Sequence, residues 1–71
     1  MSVTLNVIFH TNAASLTEMH ASVEEAGDMV FHIADRMGVE VQPADLSTFG
    51  HQGRLIRYTG EIVATYYIEE N

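Results

Sequence analysis

The first segment of the chain alternates between apolar and polar residues. In SVTLNVIFH, residues 2–10, one face carries Val3, Leu5, Val7 and Phe9 and the other carries Thr4, Asn6, Ile8 and His10. A period of two is typical of a β-strand that is buried on one face. The pattern therefore predicts an N-terminal strand that ends where TNAA interrupts the alternation.

The central segment, residues 15–38, has the spacing of an amphipathic helix. Ser15 and Glu18 are placed as in a capping box, in which each side chain accepts a free backbone N–H of the first turn. Gly38 stands where a left-handed C-cap residue is favoured. We therefore predict one long helix that begins at Ser15. Its apolar stripe comprises Leu16, Met19, Val23, Ala26, Val30, Ile33, Ala34 and Met37.

A second interpretation starts the helix later. Ser22 and Glu25 repeat the capping-box spacing, so that SLTEMHA becomes a second strand returning from a turn at TNAAS. We favour the long helix, because only it explains why Leu16 and Met19 share a stripe with the later apolar residues. Both starting points, Ser15 and Ser22, stay open.

The C-terminal half returns to strand patterns. VEVQ alternates as far as Pro43, which predicts a short edge strand. A loop is predicted over residues 43–53, with one turn of helix near residues 45–48. The segments RLIRY and EIVATYYIEE flank Thr59-Gly60 and predict a β-hairpin with a two-residue turn. Such a turn pairs Tyr58 with Glu61, Ile56 with Val63, and Arg54 with Thr65.

Both faces of this predicted hairpin contain apolar residues. We expect the face with Leu55, Ile62, Ala64, Tyr66 and Ile68 to pack on the helix. One helix covers only one side of a sheet, so the other face is exposed unless the N-terminal strand or the 43–53 loop folds over it. Tyr and Arg beside aliphatic residues are typical of protein interfaces. The first candidate binding surface is therefore Arg54, Ile56, Tyr58, Val63 and Tyr67.

These elements predict an α+β fold in a single domain, residues 1–71. In this fold one amphipathic helix packs on a small antiparallel or mixed β-sheet that ends in a C-terminal β-hairpin. A chain of 71 residues buries only a modest fraction of its surface, which makes a deep enzyme pocket difficult to build.

The net charge of −7, from ten Asp and Glu against three Arg and no Lys, changes the expected partners. Such a chain repels phosphate backbones and has no basic stripe, so direct nucleic-acid binding is not expected. The second candidate surface is the acidic side of the helix, Glu24, Glu25, Asp28 and Asp35. An acidic helix face is ordinary when it contacts only water, and it also suits a basic protein partner or imitates nucleic-acid phosphates.

The sequence contains no recognisable pattern for catalysis, cofactor binding or metal binding. Cys is absent, which excludes disulfides and thiolate zinc sites. His20 and His32 would lie about 18 Å apart on one helix, too far to share an ion. Asp45, Ser47 and His51 cluster in the loop, but no nucleophile elbow accompanies them. We therefore predict no enzymatic activity, no cofactor and no metal.

The chain also has no pattern for membrane insertion or secretion. No apolar run approaches the roughly 20 residues of a membrane span, and the N-terminus has no basic segment of a signal peptide. We therefore expect a soluble, cytoplasmic protein.

These observations favour a small acidic, non-catalytic protein-binding module, an inhibitor or adaptor that occupies a partner's functional surface. The expected partner is a protein with a basic or apolar surface. Two alternatives are a nucleic-acid mimic that blocks a DNA- or RNA-binding protein, and a structural protein that self-assembles, for example as a homodimer, through the exposed hairpin face. In composition, though in no motif, the chain is similar to phage-encoded viral inhibitors of host enzymes or defence complexes.

Overall fold

Five strands and one helix form the described part of the chain, residues 2–43 and 51–71 of a computed structural model. The sheet is antiparallel with the strand order β2-β1-β5-β4-β3, and α1 packs on one of its faces. This confirms the α+β class, with β4 and β5 adjacent as the hairpin prediction required. The predicted helical turn near residues 45–48, with Asp45 and Ser47, lies outside the described residues. The elements are β1 Val3–Phe9, β2 Ser15–His20, α1 Val23–Met37, β3 Glu40–Pro43, β4 Gln52–Ile56 and β5 Ile62–Glu70.

Residues 15–20 form a strand and not the first turns of a helix. β2 pairs antiparallel with β1, with Val7 opposite Leu16 and Val3 opposite His20. The prediction of a helix from Ser15 is therefore wrong, and the alternative start at Ser22 is correct. Leu16 points toward α1 and is partly buried, whereas Met19 lies on the opposite face of β2 and is exposed. Their helical spacing was coincidental, because a period of two also explains the burial of Leu16.

Local interactions explain where the helix begins and ends. The Ser22 side chain accepts the Glu25 backbone N–H at 3.1 Å, and Ser22 itself is extended, as an N-cap residue must be. Gly38 ends the helix in the left-handed conformation with φ of 70°, and its N–H bonds to the carbonyls of Ala34 and Asp35. Acidic residues in the first turn and Arg36 in the last turn complement the helix dipole.

The core lies between α1 and one face of the sheet. Central rows of β1 and β5 supply most of it, with Leu5 opposite Ile68 and Val7 opposite Tyr66. No charged side chain is buried among the described residues, so hydrophobic burial is the main stabilising term. The buried residues are Val3, Leu5, Val7, Ala26, Val30, Ala34, Leu55, Val63, Ala64, Tyr66 and Ile68.

A β-bulge near the start of β5 changes which apolar residues face the helix. Arg54 lies opposite Thr65 as predicted, but Ile56 lies opposite Ile62, which leaves Val63 as the extra residue. Val63 is 1% exposed, whereas Ile62 is 37% exposed. The predicted pairing of Ile56 with Val63 is therefore wrong, and so are the faces assigned to Ile62 and Val63. The predicted pairing of Tyr58 with Glu61 is also wrong, because the Arg57 N–H donates to the Glu61 carbonyl at 2.8 Å and leaves three residues in the turn. The prediction paired residues outward from the turn along two regular strands. A bulge shifts by one residue the alternation of side chains between the two faces.

Candidate functional site

The sheet face opposite α1 is uncovered within the described residues, and we call it the open face. In the strand register, Ile8 of β1 lies opposite Thr65 of β5, which lies opposite Arg54 of β4. The next row places Asn6 beside Tyr67. Side chains in these rows point away from α1 because they alternate with the buried positions.

The open face exposes large apolar side chains, and some of them line a shallow depression. Ile8 is 49% exposed, Met19 68% and Tyr67 41%. The depression has a volume of about 310 Å³, and its lining includes Ile8, Ile62, Thr65 and Tyr67. Thr65 is partly buried, and its side chain is smaller than those of Ile8, Ile62 and Tyr67. Apolar groups around a concave surface are the usual setting for a binding contact.

Polar groups lie at the edge of this depression. Arg54 is exposed there and forms no ion pair within residues 2–43 and 51–71, so its guanidinium donors remain available to a partner. The Tyr67 hydroxyl donates to the Glu69 carboxylate at 2.7 Å. This hydrogen bond, together with the negative charge of Glu69, raises the pKa of Tyr67 above its usual value. The His10 ring contacts the Thr65 hydroxyl at 3.2 Å.

The residues predicted for the first candidate surface do not all lie together. Arg54, Ile56 and Tyr67 are on the open face, whereas Tyr58 is in the turn after β4 and is 91% exposed. Val63 is in the core and cannot contact a partner unless the fold opens. The prediction omitted Ile8, Met19 and Ile62. Only Ile8 had a visible signal, since it is a large apolar residue on the polar face of an alternating strand.

The second candidate surface, the acidic side of α1, is present as predicted by the helical spacing. Glu24, Glu25, Asp28 and Asp35 are all exposed. Three of them, Glu24, Asp28 and Asp35, form no ion pair with any other described residue. Because α1 covers one face of the sheet, its solvent side and the open face lie on opposite sides of the molecule.

Glu25 belongs to a small cluster that joins the helix to β2. The side chain of His20 is 9% exposed, with Nε2 at 3.1 Å from Glu18 and Nδ1 at 3.2 Å from Glu25. The ring of His20 connects Glu18 on β2 with Glu25 in the first turn of α1. The cluster therefore stabilises the packing of the helix N-terminus against β2. Within the described residues, no group of three or more acidic or His side chains is arranged to hold a metal ion.

Comparisons with known proteins do not assign this surface. No family matches the chain, and neither does any curated protein or solved structure. Among the described residues, no helix is both long enough and apolar enough to cross a membrane.

Proposed function

We propose that the chain is a small acidic, non-catalytic protein-binding module that contacts its partner through the open face. The observation that supports this is the exposure of Ile8, Met19, Ile62 and Tyr67 on a sheet face that α1 does not cover. Occupying a partner's functional surface, as an inhibitor or adaptor does, needs no catalytic group. It needs only enough buried area for specific binding.

The chemistry of the open face suits a partner with an apolar patch. Burying an Ile side chain contributes roughly 1.5–3 kcal/mol, and Tyr and Arg are enriched among the residues that dominate interface energies. Ile8, Ile62 and Tyr67 supply the apolar area around the depression, and Arg54 supplies donors at its edge. We therefore expect the open face to determine the affinity.

The acidic side of α1 has a different role in this proposal. Exposed charges mainly accelerate association with an oppositely charged partner, and their effect decreases as salt screens them. The net charge of −7 gives the whole chain this long-range attraction toward a basic protein. We therefore expect the acidic residues to change the association rate more than the dissociation rate.

A nucleic-acid mimic is the second candidate, because Glu24, Asp28 and Asp35 follow one side of α1. From Glu24 to Asp35 the helix rises about 16 Å, so the row holds roughly one charge every 8 Å. One DNA strand carries a charge about every 3.4 Å along its axis. The acidic row is therefore less than half as dense as the phosphates it would imitate, which favours the open-face proposal.

The test compares matched variants of the two surfaces. A partner is captured from lysate with the wild-type chain, identified by mass spectrometry and purified for binding measurements. Tyr67→Ala and Ile8→Ser should each weaken the affinity by roughly tenfold or more. Asp28→Asn combined with Asp35→Asn should slow association and reduce its salt dependence, with a smaller change in dissociation.

Circular dichroism and thermal unfolding establish that each variant is folded. Equal affinity of Tyr67→Ala, Ile8→Ser and the wild type would contradict the proposal. If the affinity is lost with the Asp variants alone and DNA competes with the partner for the chain, the second candidate is favoured instead.

A further inference from the structure

The two edges of the sheet differ in how well they are protected against pairing. β3 forms one edge, has only four residues and ends at Pro43, which cannot donate a backbone hydrogen bond. β2 forms the other edge, has six residues and contains no Pro, Lys or Arg. Its ladder with β1 is regular along all six residues. Long, regular edge strands without such protection are templates for a further strand.

Hydrogen bonds of β1 indicate which backbone groups of β2 face outward. Phe9 donates to Ala14 on the β2 side at 2.8 Å, whereas His10 donates to Val63 on the β5 side at 2.8 Å. Alternate residues of an antiparallel strand bond to opposite neighbours. In the β1–β2 register, Leu16, Glu18 and His20 therefore bond to β1. The outward N–H and C=O groups belong to Ser15, Thr17 and Met19.

We propose that a second copy of this chain pairs with the β2 edge, β2 against β2 in antiparallel orientation and centred on Thr17. In this register Thr17 lies opposite Thr17 of the other copy, and Ser15 lies opposite its Met19. All three outward-facing residues then exchange backbone hydrogen bonds across the two-fold axis.

The charges within β2 itself do not oppose pairing with a second copy. The chain carries a net charge of −7, yet β2 contains a single acid, Glu18, whose carboxylate bonds to His20 at 3.1 Å. In the proposed register Glu18 lies opposite Leu16 of the other copy. No like charges oppose each other, and the central Thr–Thr pair is a favourable cross-strand pair.

Side chains on the open face also fit this register. Met19 is 68% exposed, and in the dimer it lies beside Ser15 of the other copy, with Ile8 one strand further. Because Ser is small, the long Met side chain can extend over it and contact Ile8. The two-fold symmetry repeats this contact, so that Met19 and Ile8 of each copy become partly buried.

Pairing of this kind has a consequence for the shape of the assembly. The two-fold axis is perpendicular to the sheet, so both helices lie on one side and both open faces on the other. The open faces then form one continuous surface over ten strands. The inference rests on the backbone edge of β2 and not on the proposed function, although the dimer contact and the proposed binding face share Ile8 and Met19.

The experiment uses opposite charges at position 17, measured by sedimentation and native mass spectrometry. The wild type should dimerise, whereas Thr17→Lys and Thr17→Glu should each weaken self-association by roughly tenfold, because like charges then face each other on the axis. An equimolar mixture of the two variants should restore the dimer as a mixed species. Gln42→Lys makes the same charge change as Thr17→Lys but on β3, and this control should dimerise like the wild type.

Amide exchange gives a second measurement. With rising protein concentration, the amides of Ser15, Thr17 and Met19 should gain protection, whereas the Leu5 amide should change little. A wild-type monomer at millimolar concentration would overturn the proposal, as would a mixture that stays monomeric. Protection of these amides only after a basic peptide is added would identify a different occupant and also reject the second copy.

Discussion

The two faces of β1 show how the same residue types serve different purposes. Val7 and Ile8 are neighbours in sequence, yet Val7 is buried under α1 and Ile8 is about half exposed on the open face. The covered face is almost wholly apolar, while the open face mixes apolar side chains with Thr, Asn and Arg. The covered face therefore supplies stability, and the open face holds apolar area that does not contribute fully to folding.

The largest expected effect tests this division directly on β1. Leu5→Ala should lower the free energy of unfolding by about 3 kcal/mol, because it leaves a cavity beneath α1. Ile8→Ala, its control on the open face, should lower it by less than about 1 kcal/mol. Urea unfolding followed by circular dichroism measures both values. Equal losses for the two variants would show that the open face is covered in solution.

A second comparison uses neighbouring residues of β4. A Cβ atom at Gly53 would lie 2.6 Å from the Gln42 carbonyl oxygen and 2.8 Å from the Tyr66 hydroxyl. Gly53→Ala should therefore destabilise the fold by about 2 kcal/mol through overpacking. Gln52→Ala, on the open face, should change the free energy of unfolding by less than about 0.5 kcal/mol. A thermal unfolding scan of each variant checks this, and an unaffected Gly53→Ala would contradict the close packing of β3 on β4.

Tyr66 and Tyr67 are neighbours on β5 whose side chains lie on opposite faces of the sheet. The buried Tyr66 hydroxyl has no hydrogen-bond partner in the part of the chain that the structure describes. Tyr66→Phe should therefore raise the free energy of unfolding at neutral pH by about 1 kcal/mol, since it removes an unsatisfied buried group. Urea unfolding at neutral pH measures this gain, and a loss of stability would show that the hydroxyl is bonded.

Alkaline pH gives a second test of the buried Tyr66. Burial raises the pKa of Tyr66, so the folded state favours the neutral phenol. Its contribution to stability is complete below the unfolded pKa of about 10 and is lost as the pH rises through the folded pKa. Tyr66→Phe should therefore lose less stability above pH about 10 than the wild type does. Identical alkaline profiles for Tyr66→Phe and the wild type would contradict a raised pKa of Tyr66.

The smallest expected effect concerns the open face alone. Glu69→Gln removes the charge and weakens the hydrogen bond that raises the pKa of Tyr67. Tyrosinate absorbance during an alkaline titration should then show one tyrosine ionising at lower pH, with little change in stability. Glu70→Gln, one residue further along β5, should leave the titration unchanged.

The sequence predicted the elements with strong local signals. Alternation in residues 2–10 predicted β1 and its buried face, and the Ser22 capping box and Gly38 marked the ends of α1 in one of the two interpretations. Arg54, Ile56 and Tyr67 were correctly assigned to the exposed face of the hairpin. In each case the signal lies within a few residues of the feature it specifies.

The errors arose where the apolar residues fitted both a helical and a strand period, or where the pairing of two strands was irregular. Leu16 and Met19 matched a helical stripe, but pairing with β1 makes residues 15–20 a strand and separates these two side chains onto opposite faces. Val63 and Ile62 exchanged faces because the bulge inserts one residue into β5. The open face could not be assembled in advance, since its rows combine residues from strands far apart in the chain.

The sequence by itself determined the charge, the alternating faces of β1, the helix caps and the presence of more apolar residues than one helix can cover. Only the tertiary structure decided that residues 15–20 pair as an edge strand, that Val63 enters the core, and that Ile8, Ile62 and Tyr67 surround one depression. The physical reason is that caps and alternation depend on neighbouring residues. Strand pairing, bulges and shared surfaces depend on hydrogen bonds and packing between distant segments.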